Sequence, residues 1–177
     1  MIKQDLYRYC GKVDLASFLR YFFFTAGFRY IVFFRKASNA NNLITKLFWN
    51  FLLRQCILRT GIQIPKQTKI DKGFRIVHFG HIVINPEAVI GKNFNICQGC
   101  LVGNSGGRKK GVPTIGNNVC MQPGSVIVGG VKIGNNVLVA PNAFCNFDVP
   151  DNSIVIGNPG VIHYKDNATQ EYIVYPI

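Results

Sequence analysis

The sequence has few acidic residues. It contains eight Asp and Glu against 20 Lys and Arg, which gives a formal net charge of +12. This imbalance favours acidic partners such as nucleic acid, anionic lipid or a phosphate-bearing ligand. Nucleic acid is not expected, because much of the charge lies among Phe and Leu and no nucleic-acid-binding motif accompanies it.

The cysteines do not have the spacing of a disulfide framework. Cys97 and Cys100 form a C-x-x-C pair, but no second pair or Cys/His set follows at zinc spacing, so we expect no metal. No short apolar run with a small-residue cleavage site opens the chain. We therefore expect a reduced protein of the cytoplasm. A phosphate-binding P-loop and a dinucleotide fingerprint are also missing.

Long apolar runs are lacking too. Arg20 and Arg29 interrupt the first apolar segment well before the roughly 20 residues that a membrane span needs. We predict one helix over DLASFLRYFFFTAGFRYIVFFRKASN, capped by Asp14, and a second over NNLITKLFWNFLLRQCILRTG, stopped by Gly61. Residues 1–60 are basic and aromatic, which predicts helices lying on an anionic membrane surface at its inner face; the alternative is packing on the rest of the chain or on another trimer.

The remainder of the chain carries a six-residue repeat. Apolar residues recur every six positions, and the residues four positions after them are small or apolar as well, which suits short strands rather than helices. The later members of the series are Ile115, Met121, Ile127, Ile133, Val139 and Cys145. Turns rich in Gly, Asn and Pro separate the strands, and three units would close one turn of a solenoid.

This pattern is similar to the hexapeptide repeat of the left-handed parallel β-helix. The predicted fold is mainly β: a left-handed parallel β-helix of hexapeptide repeats with an N-terminal α-helical region. We expect the helical region at 1–60, the β-helix at 61–162 and a C-terminal tail at 163–177. The register breaks once, between Val102 and Ile115, where GNSGGRKKGVP is predicted to leave the wall as a functional loop.

Two long stretches carry a closer resemblance. GFRIVHFGHIVINPEAVIGKNFNICQGCLVGNSGG and IGNNVCMQPGSVIVGGVKIGNNVLVAPNAFCNFDVPDNSIVIGNPGVI resemble the serine acetyltransferase branch of the hexapeptide-repeat acyltransferases, over roughly residues 61–162. The resemblance implies a homotrimer in which acetyl-CoA lies between neighbouring β-helices. It also implies that a histidine deprotonates the acceptor hydroxyl. His78 stands at that position, and an imidazole with a pKa near neutrality suits the task.

Further site residues follow partly from the resemblance and partly from residue chemistry. Glu87 is the one carboxylate within half a turn of His78, and it is the candidate partner in catalysis. Candidate substrate residues are His81, Gln63 and Asn85. For the phosphates of acetyl-CoA we expect the cations Arg108, Lys109 and Lys110. For the pantetheine arm we expect a wall of small residues at Gly129, Gly130 and Ala140. The resemblance adds Asn142, Asn158 and Pro159 on the same edge.

Three departures from the resemblance decide the expected acceptor. Where serine acetyltransferases carry two aspartates and an Arg-His pair, this chain has Val77, Gln63 and Gly111-Val112. The ammonium and carboxylate groups of free serine would then lose their water on binding without gaining charged partners, so serine should bind poorly. We therefore predict an O-acetyltransferase acting on a sugar hydroxyl of a surface polysaccharide or of its lipid-linked precursor. The alternatives are a serine acetyltransferase of cysteine synthesis and a catalytically silent scaffold.

Overall fold

The computed structural model describes residues 1–107 and 109–177. The described residues form four helices followed by fourteen short strands. The helices are α1 Ile2–Cys10, α2 Leu15–Phe24, α3 Ala26–Ser38 and α4 Leu43–Thr60. The helical N-terminal region predicted from the sequence is therefore confirmed.

The helix ends follow local chemistry, with one difference from the sequence prediction. The side chain of Asp14 accepts a hydrogen bond of 2.8 Å from the backbone N–H of Ser17, as an N-cap does. Gly61 ends α4 in the left-handed conformation with φ of 71°. The single helix predicted from Asp14 is instead two helices, because Thr25 adopts an extended conformation and ends α2 where α3 begins.

The strands are two to four residues long and lie on three sheets. They are β1 Lys69–Ile70, β2 Arg75–Ile76, β3 Val83–Ile84, β4 Val89–Ile90, β5 Asn95–Ile96, β6 Leu101–Gly103, β7 Thr114–Ile115, β8 Val119–Met121, β9 Val126–Val128, β10 Lys132–Ile133, β11 Val137–Val139, β12 Phe144–Cys145, β13 Ser153–Ile156 and β14 Val161–Tyr164. Sheet 1 contains β1, β4, β7 and β10. Sheet 2 contains β2, β5, β8, β11, β13 and β14, and sheet 3 contains β3, β6, β9 and β12.

The chain visits sheets 1, 2 and 3 in turn, and strands of successive coils pair in parallel. Only β13 and β14 pair antiparallel among the described strands. This is the predicted left-handed β-helix of hexapeptide repeats. The inward residues stack from coil to coil and are fully buried, for example Ile96, Met121 and Val139 on sheet 2. Their burial is the main stabilising contribution to the coil.

The corners between sheets 1 and 2 repeat one conformation. The asparagines there have φ between 54° and 56°, in the left-handed region that asparagine tolerates better than most residues. Their side chains form hydrogen bonds along the helix axis: Asn93 donates to Asn118 at 2.8 Å, and Asn136 donates to Asn152 at 2.6 Å. The sequence therefore uses Asn both for the turn and for the link between coils.

A buried ion pair joins the helical region to the first coil. The Arg35 guanidinium on α3 contacts the carboxylate of Asp5 on α1, with Nε 2.9 Å from Oδ2. Arg35 also donates to the backbone carbonyl of Asp71 at 2.6 Å, and the N–H of Phe74 donates to Asp5 Oδ1 at 2.9 Å. Two helices and the corner before β2 are thus held by one network of charge-assisted hydrogen bonds.

The last residues of the chain cover sheet 2. After β14 the chain turns back, and Ala168 and Ile173 pack on the outward side chains of Cys120 and Leu138. The side-chain amide of Asn95 donates to the carbonyl of Tyr172 at 2.8 Å. The outer face of sheet 2 is consequently occupied by the chain itself.

Candidate active site

His78 lies in an unusually long corner of the coil. Six residues separate β2 from β3, whereas four separate β5 from β6 in the next coil. The register therefore breaks here as well as in the later loop, which corrects the prediction of a single break. The side chain of His78 is exposed and lies outside the buried interior of the coil.

A pocket of about 270 Å³ lies beside His78. Its walls are residues 24–27, at the elbow between α2 and α3, and residues 76–79 of the long corner. Gly27 makes this contact possible, because a Cβ at that position would lie 2.9 Å from the carbonyl oxygen of Ile76. The elbow was not predicted from the sequence. Gly27, the only glycine within the predicted first helix, was the signal that could have indicated it.

The imidazole of His78 is available to solvent and to a ligand. Within residues 1–107 and 109–177, no hydrogen bond of its side chain is formed. The predicted partner Glu87 follows β3 at the opposite corner of sheet 3, and its side chain is exposed. The N–H of Glu87 donates to Asn85 Oδ1 at 2.9 Å, so Asn85 stabilises its own turn. One chain alone does not bring Glu87 or Asn85 to His78.

Two other predicted substrate residues do lie near this corner. His81 closes the same turn with φ of 41° and is exposed. Gln63 forms a parallel bridge with Val83 and is exposed on the outer face of sheet 3, at the same end of the coil. His78 and His81 thus share one corner, and Gln63 pairs with the strand that follows it.

The predicted phosphate-binding cations lie in the loop after β6. Arg108 falls outside the described residues. The Lys109 ammonium pairs with the Asp148 carboxylate at 2.8 Å, which lowers the pKa of Asp148, and Lys110 is exposed. Since Asp148 already neutralises Lys109, Lys110 has the more available charge of the two.

The predicted wall of small residues at Gly129 and Gly130 is packed against the same loop. The N–H of Gly130 donates to the carbonyl of Lys109 at 2.8 Å. A Cβ on Gly129 would lie 2.7 Å from that oxygen, and one on Gly130 would lie 2.5 Å from the carbonyl oxygen of Lys110. Glycine is therefore required by the loop in the single chain, and contact with a pantetheine arm stays a prediction.

The remaining predicted residues follow the edge on which His78 lies. Ala140 and Asn142 occupy the corner between β11 and β12, and Asn158 and Pro159 precede β14. Asn142 adopts φ of 57°, and its N–H donates to the carbonyl of Pro123 in the coil before it at 2.9 Å. These residues continue the edge between sheets 2 and 3 away from His78, and their role in cofactor binding stays a prediction.

The three outer faces of the coil differ in character. Sheet 1 presents exposed residues that include Lys69 and Lys132. Sheet 2 is covered by α1 and by the tail. Sheet 3 presents a row of half-buried apolar side chains, namely Val83, Leu101, Val126 and Phe144. His78 borders this apolar face on one side, and the loop with Lys109 borders it on the other.

The buried cysteines are poor nucleophiles. Burial raises the pKa of Cys97 and of Cys145 to about 11 and that of Cys120 to about 12, so these thiols remain protonated at neutral pH. Within the described ranges, no group of three or more His, Cys, Asp or Glu side chains could hold a metal ion. The exposed imidazole of His78 is thus a better candidate base than these thiols.

Comparison with known proteins supports the fold and its type. Residues 113–146 match the family model of the bacterial transferase hexapeptide (six repeats). The serine acetyltransferase of Staphylococcus aureus (strain Mu50) is 39% identical over 110 residues, which are 62% of this chain and 52% of that protein. The serine acetyltransferase of Staphylococcus epidermidis (strain ATCC 12228) is 40% identical over 104 residues, 58% and 49% of the two chains. The chain spans about half the length of the curated relatives it matches.

Solved structures share the fold over most of this chain. The serine acetyltransferase of Neisseria gonorrhoeae in complex with serine has a TM-score of 0.74 at 23% identity, covering 90% of this chain and 66% of that one. Serine acetyltransferase isoform 3 of Entamoeba histolytica in complex with cysteine has a TM-score of 0.70 at 26% identity, covering 96% and 62%. The chain therefore has the hexapeptide-repeat fold. The proteins named above, to which it is similar in sequence and in fold, are serine acetyltransferases.

The prediction of a sugar acceptor is wrong. The relatives and the solved structures described above are serine acetyltransferases, so the comparisons support the alternative of a serine acetyltransferase. Val77 packs half-buried against the core, and Gly111 closes the loop by exchanging backbone hydrogen bonds with Ser105. These positions lack side-chain charge for holding serine, but the loss of such charges does not create a site for a sugar.

Proposed function

We propose that the chain is an acetyl-CoA-dependent serine O-acetyltransferase with His78 as general base. The observation that carries the proposal is the 39% identity, over 110 residues, with a serine acetyltransferase. His78 accepts the hydroxyl proton of L-serine as the oxygen attacks the thioester carbonyl. The tetrahedral intermediate then collapses, the carbon–sulfur bond breaks, and the imidazolium returns the proton to the CoA thiolate. The products are O-acetylserine and CoA.

The pocket beside His78 suits a small acceptor. Its volume of about 270 Å³ admits an amino acid. The amino-terminal turn of α3 opens into it, and the positive end of the helix dipole favours the carboxylate of serine there. Backbone groups of the elbow would thus supply part of what charged side chains supply elsewhere.

We infer that three copies assemble through sheet 3. Sheet 2 is already covered and sheet 1 presents lysines, so the apolar row on sheet 3 is the face that gains most from burial. Around a threefold axis, the His78 corner of one chain would meet the loop with Lys110 of the next chain. The acetyl-CoA site would then be built from two chains.

The activity is tested by release of CoA, followed with a thiol reagent, from purified full-length protein supplied with acetyl-CoA and L-serine. Turnover is expected, and His78→Ala is expected to lower kcat by about 10²- to 10⁴-fold. His163→Ala on the exposed strand β14 is the matched control and should retain the wild-type rate. Absence of turnover with serine, or an unchanged rate in His78→Ala, would contradict the proposal.

The assembly is tested by sedimentation velocity. Val126→Glu introduces a charge into the apolar row of sheet 3 and is expected to convert a trimer into monomers. Thr114→Glu on the exposed face of sheet 1 is the control and should remain trimeric. A wild-type monomer, or a Val126→Glu trimer, would show that sheet 3 is not the interface.

A further inference from the structure

Helix α4 has one packed face and one open face. Leu53, Cys56 and Thr60 are buried against the rest of the protein. The opposite face is apolar and exposed, with Ile44 80% and Leu58 71% accessible. The full exposed apolar set on this helix is Leu43, Ile44, Leu47, Phe48, Phe51 and Leu58.

The exposed side chains form a stripe rather than scattered contacts. Leu43, Leu47 and Phe51 follow one another at intervals of four residues, and Leu58 comes seven residues later, which places them on one side of the helix. Helix α2 has a similar stripe in Leu15, Leu19 and Phe23, all of them exposed. An apolar stripe of this size normally marks an interaction surface.

Apart from Asp14, which caps α2, the charge around the stripe is positive. Residues 15–70 contain no Asp or Glu, while Lys46, Arg54 and Arg59 are exposed on α4. Arg20 is exposed on α2. A partner for this surface must therefore accept apolar side chains and also supply negative charge.

We propose that the open face of α4, extended by α2, binds an anionic lipid surface. Lipid headgroups supply the negative charge, and the region beneath them accepts Leu and Phe side chains. Among the described residues, no helix is both long enough and apolar enough to cross a membrane. In the proposed arrangement α4 lies along the lipid surface. A second copy of the same face is disfavoured, because it would place the Arg and Lys side chains of α4 against one another, and α4 contains no carboxylate.

The proposal stands apart from the proposed transferase activity, and its first test is vesicle flotation of the full-length protein. Vesicles of phosphatidylcholine with phosphatidylglycerol should bind the protein, and vesicles of phosphatidylcholine alone should bind it at least tenfold more weakly. Leu47→Glu and Phe51→Glu, both at exposed positions, are expected to reduce binding at least tenfold. Val161→Glu, at an exposed position on β14, is the matched control and should bind like wild type. Equal binding to both vesicle types would overturn the proposal.

The second test removes charge. Arg54→Gln and Arg59→Gln are each expected to weaken binding to the anionic vesicles about fivefold, and high salt should weaken wild-type binding. Lys132→Gln and Lys165→Gln, exposed on other parts of the chain, are the controls for net charge and should have a smaller effect. If all four variants lose binding equally, binding depends on the net charge of the protein rather than on this surface, and the proposal fails. If the wild-type protein does not bind vesicles but forms larger assemblies that dissociate in Phe51→Glu, the partner is another copy of the chain and the proposal fails. CoA release by the same variants reports the enzyme activity separately.

Discussion

Arg35→Met should destabilise the protein strongly, because it leaves Asp5 buried without its cation. The two side chains are 5% and 0% exposed, and two guanidinium nitrogens lie 2.9 and 3.2 Å from the carboxylate oxygens. Removing one member of a buried pair costs about 3–5 kcal/mol in the free energy of unfolding. At about 2–4 °C per kcal/mol for a chain of this size, the melting temperature should fall by about 6–20 °C.

The pH dependence gives this prediction a second check. Burial raises the pKa of Asp5, and the charge of Arg35 opposes that shift, so removing Arg35 raises the pKa further. A carboxyl with a raised pKa in the folded state stabilises most at pH values below its unfolded pKa, and the stability is lost as pH rises through the folded pKa. The deficit of Arg35→Met should therefore be largest at neutral pH and should shrink as the solution is acidified.

Thermal and urea unfolding monitored by circular dichroism measure both effects. The double variant Asp5→Leu/Arg35→Met removes the uncompensated charge and should be more stable than Arg35→Met alone. Lys109→Met breaks the exposed pair with Asp148 and serves as the control, with little change expected. If Arg35→Met is as stable as wild type, or if the double variant is less stable than the single one, the reasoning about this pair is refuted.

Three further predictions concern the coil and the loop. Because the folded-state pKa values of Cys97 and Cys120 are raised to about 11 and about 12, their thiols should react slowly with a thiol reagent at pH 8 until the protein is unfolded, and rapid labelling of the native chain would contradict this. For the same reason the melting temperature should decrease as the pH is raised from about 8.5 to about 11. Gly124→Ala should lower the melting temperature by several degrees, because φ at this position is 71°, a left-handed conformation that is strained for alanine. A melting temperature equal to that of wild type in calorimetry would show that the corner relaxes without cost. In CoA-release assays Lys110→Ala should raise the KM for acetyl-CoA more than Lys109→Ala does, because Lys109 is already paired; the reverse order would assign the phosphate contact to Lys109.

Periodic features of the fold could be predicted from the sequence, and contacts between distant segments could not. The six-residue spacing of Ile127, Ile133 and Val139 identified the buried interior, because each coil repeats the same local geometry. The caps at Asp14 and Gly61 were predictable for the same reason, since each depends on a few neighbouring residues.

Helix α1 and the elbow at Thr25 depend on contacts that local patterns do not contain. The segment IKQDLYRYC is polar enough to suggest a surface, yet Asp5 and Arg8 are buried because Arg35 and Asn95, both far away in sequence, bind them. The elbow interrupts a continuous apolar pattern so that Gly27 can approach β2. The acceptor was predicted wrongly because three missing charges were interpreted as a change of substrate.

The long corner at His78 shows how a periodic scaffold accommodates extra residues. Two additional residues stand between β2 and β3, yet β3 resumes its place on β6 with both register partners aligned. This corner of the coil thus accommodates two additional residues without disturbing the pairing of β3 with the next coil. Side chains can therefore be gained or lost at one corner while the stacked interior, on which folding depends, keeps its six-residue apolar pattern.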